Sequence, residues 1–336
     1  MSTNPSTNHS AITDTVSLFA GLPMFILTEI PLRLLSTTTT HLEANPINFL
    51  LGHTAPDALV DSGDRRDPPQ CSPETRDSIL REIKKWANSR EGATLIFWLF
   101  GSAGVGKSAI CQSIAEMFKR KGLLLGNFFF SRNGASTGRS NGDRLLPTLI
   151  HQLQEAIPET RSCIQNPIRR DPTIFTKTRA SQMAVLYVEP LKKLKIRGFF
   201  QRHNVDLWKK VRLVVIDGLD ECLDTDVQCD LLRVIAEASK ALPIPVRFFI
   251  ASRPEVRIKD TFYSHSSFHT VELRTIDLDQ DQNARQSVSR FLLDEFAKIR
   301  KIHPYLHDSW PSEQVIQTGH STFTVRPTVS AVQSSR

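Results

Sequence analysis

Residues Thr94–Ile110 read TLIFWLFGSAGVGKSAI, and this stretch decides the fold. The run TLIFWLF is apolar throughout, which is the pattern of a strand buried on both faces of a parallel sheet. GSAGVGKS follows directly and matches the pattern G-x-x-x-x-G-K-[ST] in full. A helix is predicted next, from Gly106 to about Lys119. This order indicates a phosphate-binding loop, because the glycines let backbone N–H groups turn toward an anion at the helix N-terminus.

The side chains of this loop suit a nucleotide with a bound metal ion. Lys107 is placed to reach the β- and γ-phosphates, and the Ser108 hydroxyl is placed to bind Mg²⁺. The alternative is a chance glycine-rich loop, which the flanking strand and helix disfavour. The predicted phosphate-binding residues are Gly101, Ser102, Ala103, Gly104, Val105, Gly106, Lys107 and Ser108.

A second apolar run, Val211–Leu219, leads into a group of acids in the sequence VRLVVIDGLDE. Asp217 is predicted to bind Mg²⁺, because the carboxyl end of a parallel strand lies beside the phosphate loop. Asp220 and Glu221 are predicted to orient or deprotonate an attacking water. The alternative is a solvated acidic turn that caps the next helix. Many hydrolysing ATPases of this type carry Glu directly after the metal-binding aspartate; because Gly218 stands there instead, efficient turnover does not follow from the motif.

The strand predicted at Val246–Pro254 ends in the sequence ASRPE. If this strand lies between the phosphate-loop strand and the acidic strand, Arg253 points toward the γ-phosphate. A guanidinium there distinguishes a triphosphate from a diphosphate, because it pairs bidentately with phosphate oxygens. The alternative is an ordinary surface arginine before a proline turn. Arg132, after the strand predicted at Leu123–Ser131, is a weaker candidate for the same role.

Strands and helices alternate along the rest of the chain, which predicts a parallel sheet with right-handed crossovers. The predicted fold class is therefore α/β: a three-layer P-loop NTPase with a mostly parallel sheet of the additional-strand type and a helical insertion. The other predicted elements are a helix from Ser72 (the N-cap, before Pro73) to Gly92, helices at about Arg144–Ala156, Val227–Lys240 and Gln280–Arg300, and a short strand at His269–Arg274.

Three regions are predicted: an N-terminal extension (1–66), the P-loop domain (67–300) and an irregular tail (301–336). The extension is interpreted as poorly ordered with one apolar segment, and an amphipathic docking or membrane-contacting segment is the alternative. Its longest apolar stretch, Thr15–Thr28, is too short to span a bilayer. We therefore expect a cytoplasmic protein without a transmembrane segment.

The charge is concentrated in one segment. The chain has 42 Lys and Arg against 35 Asp and Glu, a net charge of +7, yet residues 161–212 alone carry +10. Apolar residues interleave with these basic residues at helical spacing, so a solvated basic face on a helical insertion is favoured over nucleic-acid contacts. Five scattered cysteines without a C-x-x-C pair argue against a zinc site or a disulfide framework.

Several motifs together resemble the NACHT class of P-loop NTPases, and more narrowly fungal proteins with a nephrocystin-3-like N-terminal domain. The motifs are PPQCSPETRDSILREIKKW before the first strand, then FWLFGSAGVGKSAI, NFFFSRN, VVIDGLDEC and FFIASRPE. The resemblance extends from about Pro68 to Glu313. The phosphate loop alone is generic, whereas DGLDE followed some thirty residues later by SRPE is more specific.

The resemblance implies a nucleotide-controlled switch of the STAND class, associated in fungi with signalling and non-self recognition. It implies ATP (or GTP) and Mg²⁺ as ligands, and protein partners or self-association. It carries metal binding to Ser108 and Asp217, hydrolysis to Asp220 and Glu221, and γ-phosphate sensing to Arg253, while Lys107 binds phosphate.

The C-terminal stretch QTGHSTFTVRPTVSAVQSSR departs from the family, because it is polar and lacks the apolar helix that leads into a winged-helix region. We therefore expect a chain truncated after the NTPase core. Two other functions are kept as alternatives: a constitutive nucleoside-triphosphate hydrolase, and a non-catalytic interaction fragment.

Overall fold

The centre of the molecule is a parallel β-sheet. The computed structural model describes residues 45–65, 68–71, 76–89, 94–132, 138–196, 210–280, 293, 295–303, 305–306 and 310 of the chain. Within these ranges the strands are β1 (Thr94–Phe100), β2 (Leu124–Phe129), β3 (Arg212–Asp217), β4 (Val246–Ser252) and β5 (Glu272–Asp277).

The strand order is β2-β3-β4-β1-β5, and every pair of neighbours is parallel. The predicted α/β fold with a parallel sheet is confirmed. β4 lies between the phosphate-loop strand β1 and the acidic strand β3, as the additional-strand type requires. The carboxyl ends of these three strands therefore meet at one edge of the sheet.

The more deeply a strand is buried, the more clearly its sequence predicted it. β3 and β4 are buried along their whole length, and continuous apolar runs marked both. The bounds of β1 are those predicted from its apolar run. β5 is an edge strand with no fully buried residue, and it begins at Glu272 rather than at the predicted His269. Its apolar pattern is weak because half of its side chains face solvent.

Helices cover both faces of the sheet and give the predicted three layers. On one face α2 and α3 pack against Phe97 and Phe249 through Ile83 and Phe118. On the other face α4 and α8 pack against the sheet within a larger apolar core. The α-helices with both bounds inside the described ranges are α1 (Pro46–Gly52), α2 (Asp77–Asn88), α3 (Lys107–Arg120), α4 (Leu145–Ala156), α5 (Arg161–Arg170), α6 (Arg179–Met183), α7 (Glu189–Ile196), α8 (Thr225–Ala241) and α9 (Val256–Ser264).

The predicted start of α2 at Ser72 is wrong, because the helix begins at Asp77. Its N-cap is Arg76, whose backbone is left-handed with φ 61°, a conformation that a helix cannot continue through. Residues 72–75 lie outside the described residues. The helix ends at Asn88 rather than at Gly92, and the buried Arg247 donates hydrogen bonds to the carbonyl oxygens of Trp86 and Ser89 at that end.

The predicted helical insertion is present between α4 and β3. It contains α5, α6 and α7, and the last two are joined by a π-helical turn, Ala184–Val188. The apolar positions that predicted it are buried, among them Ile168, Met183 and Leu191. Its basic residues lie mainly on the outside, at intermediate or high exposure.

Residues 46–60 pack into the same core as the sheet. Among the described residues, those from Pro46 onward belong to one compact unit, so this part of the predicted extension (1–66) packs with the P-loop domain predicted at 67–300. Leu50 of α1 and Val60 are buried, and the Val60 N–H donates to the Asn127 side chain on β2 at 2.7 Å. A seven-residue helix has too few apolar repeats to be recognised from its sequence.

Two other predictions fall mostly outside the described residues. Of the helix predicted at Gln280–Arg300, residues 281–292 and 294 are not described, and residues 295–302 are helical. Most of the predicted tail, 301–336, is likewise outside them. Within the described ranges, no helix combines the length and the apolar character that crossing a bilayer requires.

Candidate functional site

The glycine-rich loop connects β1 to α3 at the carboxyl edge of the sheet. Gly104 and Gly106 have φ angles of 78° and 97°, which other residues rarely adopt, so these two glycines allow the loop to turn. The Lys107 ammonium donates to the carbonyl oxygens of Gly101 and Ser102, each at 2.7 Å. Burial lowers the pKa of Lys107, whereas the nearby Asp220 and Asp217 carboxylates act against that shift.

Two charged side chains outside the loop hold its two ends. Arg76 Nη2 donates to the Val105 carbonyl oxygen at 2.6 Å. The Asp279 carboxylate accepts hydrogen bonds from the backbone N–H and the hydroxyl group of Ser102. The sequence analysis assigned neither residue a role, because these contacts span 29 and 177 positions and no local motif marks them.

Asp217, the last residue of β3, lies beside the first turn of α3. Its carboxylate receives hydrogen bonds from the Ser108 hydroxyl and the Cys111 thiol. Burial raises the pKa of Asp217, and both hydrogen bonds and the positive charge of Arg65 oppose that rise. The structure thus brings together the two residues predicted to bind Mg²⁺, with Cys111 as a neighbour that the sequence analysis did not single out.

The backbone explains why a glycine follows Asp217. Gly218 has φ 69°, and a Cβ atom added there would lie 3.3 Å from the Phe130 carbonyl oxygen. A glutamate at this position would be strained, and the next acids, Asp220 and Glu221, lie within a short 3₁₀ turn, Leu219–Glu221. The Glu221 carboxylate accepts a hydrogen bond from the Arg132 backbone N–H at 3.0 Å.

Asp220 and Arg253 form a pair across the ends of β3 and β4. Asp220 Oδ1 accepts the Arg253 backbone N–H at 2.8 Å, and Oδ2 lies 3.3 Å from Arg253 Nε. The Asp220 side chain is 5% exposed, whereas that of Arg253 is 50% exposed. Both Asp220 oxygens therefore engage Arg253, although the sequence analysis expected Asp220 to act on water. Arg132 Nη2 donates to the Asp220 carbonyl oxygen at 2.6 Å.

A cleft of about 260 Å³ opens at this edge of the sheet. Three of the predicted loop residues, Gly101, Ser102 and Val105, do not line the cleft. The three predicted acids and Arg253 line it, and so do Pro69, Ala109 and Gly218, which were not predicted as site residues. The residues that line it are Pro69, Ala103, Gly104, Gly106, Lys107, Ser108, Ala109, Asp217, Gly218, Asp220, Glu221 and Arg253.

Two further arginines lie on the β2 side of Asp217. The Arg65 guanidinium carbon lies 3.6 Å from the centre of the Phe129 ring, and Arg139 Nε donates to the Phe129 carbonyl oxygen at 3.0 Å. Phe129 pairs in register with Asp217. Burial and the neighbouring Arg139 lower the pKa of Arg65 to about 10. The sequence analysis missed Arg65 because it assigned residues before 67 to an extension.

The donors of this site fit a nucleotide with Mg²⁺. Magnesium in such sites has only one or two protein ligands, and water and phosphate oxygens complete its octahedral coordination. One carboxylate and one hydroxyl group are therefore enough ligands from the protein. In the described part of the chain, no cluster of three or more His, Cys, Asp or Glu side chains is arranged to hold a metal ion by itself. The loop amides and the Lys107 ammonium are the matching groups for phosphate oxygens.

A parallel sheet with this strand order and a G-x-x-x-x-G-K-S loop defines a P-loop nucleotide-binding domain. A family model described as the N-terminal region of nephrocystin 3 matches residues 74–253, slightly more than half of the chain. The chain therefore belongs to this family, as its motifs predicted. No curated protein sequence matches it.

Solved structures resemble the chain distantly. One is a chain of Drosophila ORC bound to GC-rich DNA and Cdc6, with a TM-score of 0.40 and 11% identity over 84% of this chain and 42% of that one. Another is from Drosophila ORC bound to poly(dA/dT) DNA and Cdc6, with a TM-score of 0.40 and 13% identity over 76% and 36%. This chain thus spans less than half of either, and similarity at this level carries no functional argument.

We predict that Asp220→Ala lowers the free energy of unfolding by about 2–3 kcal/mol, because a part-buried N–H and a guanidinium lose their acceptor. Asp220→Asn keeps an acceptor for the N–H and costs about 1 kcal/mol. Urea unfolding measures both changes. The matched control is Asp226→Asn, which removes an exposed partner of Arg257 and costs less than about 0.5 kcal/mol. Equal losses for Asp220→Ala and the control would contradict the prediction.

Proposed function

We propose that this chain is a nucleotide-controlled regulatory switch of the NACHT type, which binds ATP with Mg²⁺ and hydrolyses it slowly. The observation that supports this most is the single cleft that Lys107, Ser108, Asp217 and Arg253 all line at the carboxyl edge of the sheet. ATP is preferred to GTP on the family resemblance, and the cytoplasm is the proposed location.

The phosphate loop supplies the binding energy in this proposal. Its amides and the Lys107 ammonium bind the β- and γ-phosphates, and Lys107 exchanges its present carbonyl partners for phosphate oxygens. Ser108 and Asp217 hold Mg²⁺, which supplies positive charge between the phosphate oxygens when it is bound. Burial strengthens each of these interactions, because charges attract more strongly where water is excluded.

Slow rather than rapid hydrolysis is supported by the contacts of the two acids. Glu221 is the acid proposed to orient water, and its carboxylate already accepts the Arg132 N–H. Asp220 is engaged with Arg253 through both oxygens. A base that must first leave a hydrogen bond acts less readily, so a nucleotide stays bound long enough to define a state.

Arg253 gives the proposed switch its sensitivity to the γ-phosphate. Its side chain is half-exposed in the cleft and partly balanced by Asp220. A triphosphate offers the guanidinium a second anion that a diphosphate lacks, so the two nucleotides stabilise different arrangements around β4. A ligand shifts such an equilibrium only by its difference in affinity for the two states.

Protein partners are proposed in preference to nucleic acid. Part of the positive charge of the helical insertion is already paired: Arg179 contacts both Asp143 and Asp230, and Lys192 contacts Glu189. Paired charges release fewer counterions from a phosphate backbone, which weakens nucleic-acid binding.

We predict that Lys107→Ala lowers the affinity for Mg²⁺–ATP about 100-fold or more, because an ammonium that binds two phosphate groups is lost. Titration calorimetry of the purified chain measures the affinity, and denaturation followed by chromatography identifies any nucleotide that copurifies. Lys121→Ala, an exposed lysine after α3, is the control and keeps full affinity. Unchanged binding by Lys107→Ala would overturn the proposed site.

We predict that Glu221→Gln slows ATP turnover at least about tenfold, since a positioned acid or base contributes about 10²–10⁴-fold in enzymes. The Glu221→Gln variant binds ATP with nearly unchanged affinity, because the proposed role of Glu221 is to orient water and not to bind phosphate. Steady-state phosphate release with matched binding data tests this, with Glu155→Gln, an exposed acid on α4, as the control. Rapid turnover without trapped nucleotide in the wild-type chain would favour a constitutive hydrolase over a switch.

We predict that Mg²⁺-dependent ATP affinity falls as the pH is lowered toward the raised pKa of Asp217. Burial raises the pKa of Asp217, and a protonated carboxyl does not bind the metal, so the loss begins at a higher pH than an ordinary aspartate would give. Because one proton is taken up, the affinity falls by at most about tenfold per pH unit. Asp217→Asn removes both the Mg²⁺ dependence and this acid limb. A flat profile for the wild-type chain would contradict the prediction.

A further inference from the structure

The end of β5 brings an acid to the first turn of the phosphate loop. β5 pairs with β1 so that Asp277 lies opposite Phe100, and the Leu278 N–H continues the ladder by donating to the Phe100 carbonyl oxygen at 2.8 Å. The Asp279 N–H then donates to the Asp277 side chain at 3.0 Å, which turns the chain. Asp279 is thereby fixed next to Ser102.

Both carboxylate oxygens of Asp279 accept hydrogen bonds from Ser102. The Ser102 backbone N–H donates to Oδ2 at 2.8 Å, and the Ser102 hydroxyl donates to Oδ1 at 2.7 Å. Leu278 lies close to Gly101, because a Cβ atom added to Gly101 would be 3.2 Å from the Leu278 Cβ. The N–H of the peptide between Gly101 and Ser102 is therefore bound by Asp279, and Leu278 lies close beside Gly101.

The backbone of these two residues also binds the Lys107 ammonium. Lys107 Nζ donates to the carbonyl oxygens of Gly101 and Ser102, both at 2.7 Å. One chain of hydrogen bonds thus runs from Asp279 through Ser102 to Lys107. Asp279 does not line the cleft, so it acts on a bound ligand only through the loop.

We propose that Asp279 is a positioning residue of the phosphate loop, which orients the Gly101–Ser102 peptide so that Lys107 is held ready for a triphosphate. The proposal rests on the proposed nucleotide binding and extends it to a residue outside every motif.

The hydrogen bonds and the charge of Asp279 have opposite effects on an anionic ligand. The bonds fix the loop, whereas the negative charge repels phosphate through space. Asparagine separates the two effects, because its Oδ1 accepts the Ser102 N–H and its Nδ2 donates to the Ser102 hydroxyl without a charge. A positioning role therefore requires that Asp279→Asn rescue what Asp279→Ala loses.

The test compares Asp279→Ala, Asp279→Asn and Glu272→Gln, the last being an exposed acid at the other end of β5. Affinities for Mg²⁺–ATP and Mg²⁺–ADP are measured by calorimetry, with thermal unfolding of the nucleotide-free proteins as the check on folding. We expect Asp279→Ala to weaken ATP binding about three- to tenfold, as the loss of an exposed charge-assisted contact implies. Asp279→Asn and Glu272→Gln bind at least as tightly as the wild-type chain.

A double-mutant cycle with Ser102→Ala supplies a second readout that does not depend on a single variant. If Asp279 acts through Ser102, then Ser102→Ala costs less affinity in the Asp279→Ala background than in the wild-type chain. Additive losses, or full affinity in Asp279→Ala, would overturn the positioning role while Lys107→Ala still abolishes binding. Equal binding by the wild-type chain and Lys107→Ala would instead overturn the proposed function, and this inference with it.

Discussion

The contact between Asp217 and Ser108 is the constraint on which the rest of the site depends. Removing a carboxylate from water is costly unless hydrogen bonds or a cation compensate. The Ser108 hydroxyl, the Cys111 thiol and the charge of Arg65 provide that compensation in the protein alone. They do so because β4, inserted between β1 and β3, sets the spacing between the loop and the acid. The Mg²⁺ proposed at the same carboxylate would add to this compensation.

Local sequence patterns predicted the parts of the molecule that follow from local physics. The apolar runs of β1, β3 and β4 marked buried strands because helices cover both sides of the sheet. The spacing of glycines and Lys107 predicted the loop because backbone geometry is set within a few residues. Placing Arg253 required one further assumption, that its strand lies between the other two, and the strand order confirms that assumption.

The sequence did not reveal contacts that only the tertiary fold creates. Arg76 and Asp279 hold the loop from 29 and 177 positions away, and a charged residue of either type is ordinarily a solvated surface group. Helix α1 was missed because one short turn of apolar residues has no period to detect. The start of α2 was misplaced because Ser72 and Pro73 formed a convincing cap, whereas the left-handed backbone of Arg76 has no signature in the sequence.

The pairing of Asp220 with Arg253 changes the role that the acidic motif predicted for Asp220. An acid that is 5% exposed and bonded through both oxygens is poorly placed to take a proton from water, but it is well placed to fix an arginine. Gly218 explains the spacing, since a left-handed turn moves the next acids to the end of a 3₁₀ turn. The motif D-G-L-D-E therefore divides its acids among separate contacts: Asp217 faces the loop, Asp220 holds Arg253, and Glu221 accepts the Arg132 backbone N–H at the cleft. The engagement of Asp220 and Glu221 in these hydrogen bonds is the feature that supports the proposed slow hydrolysis.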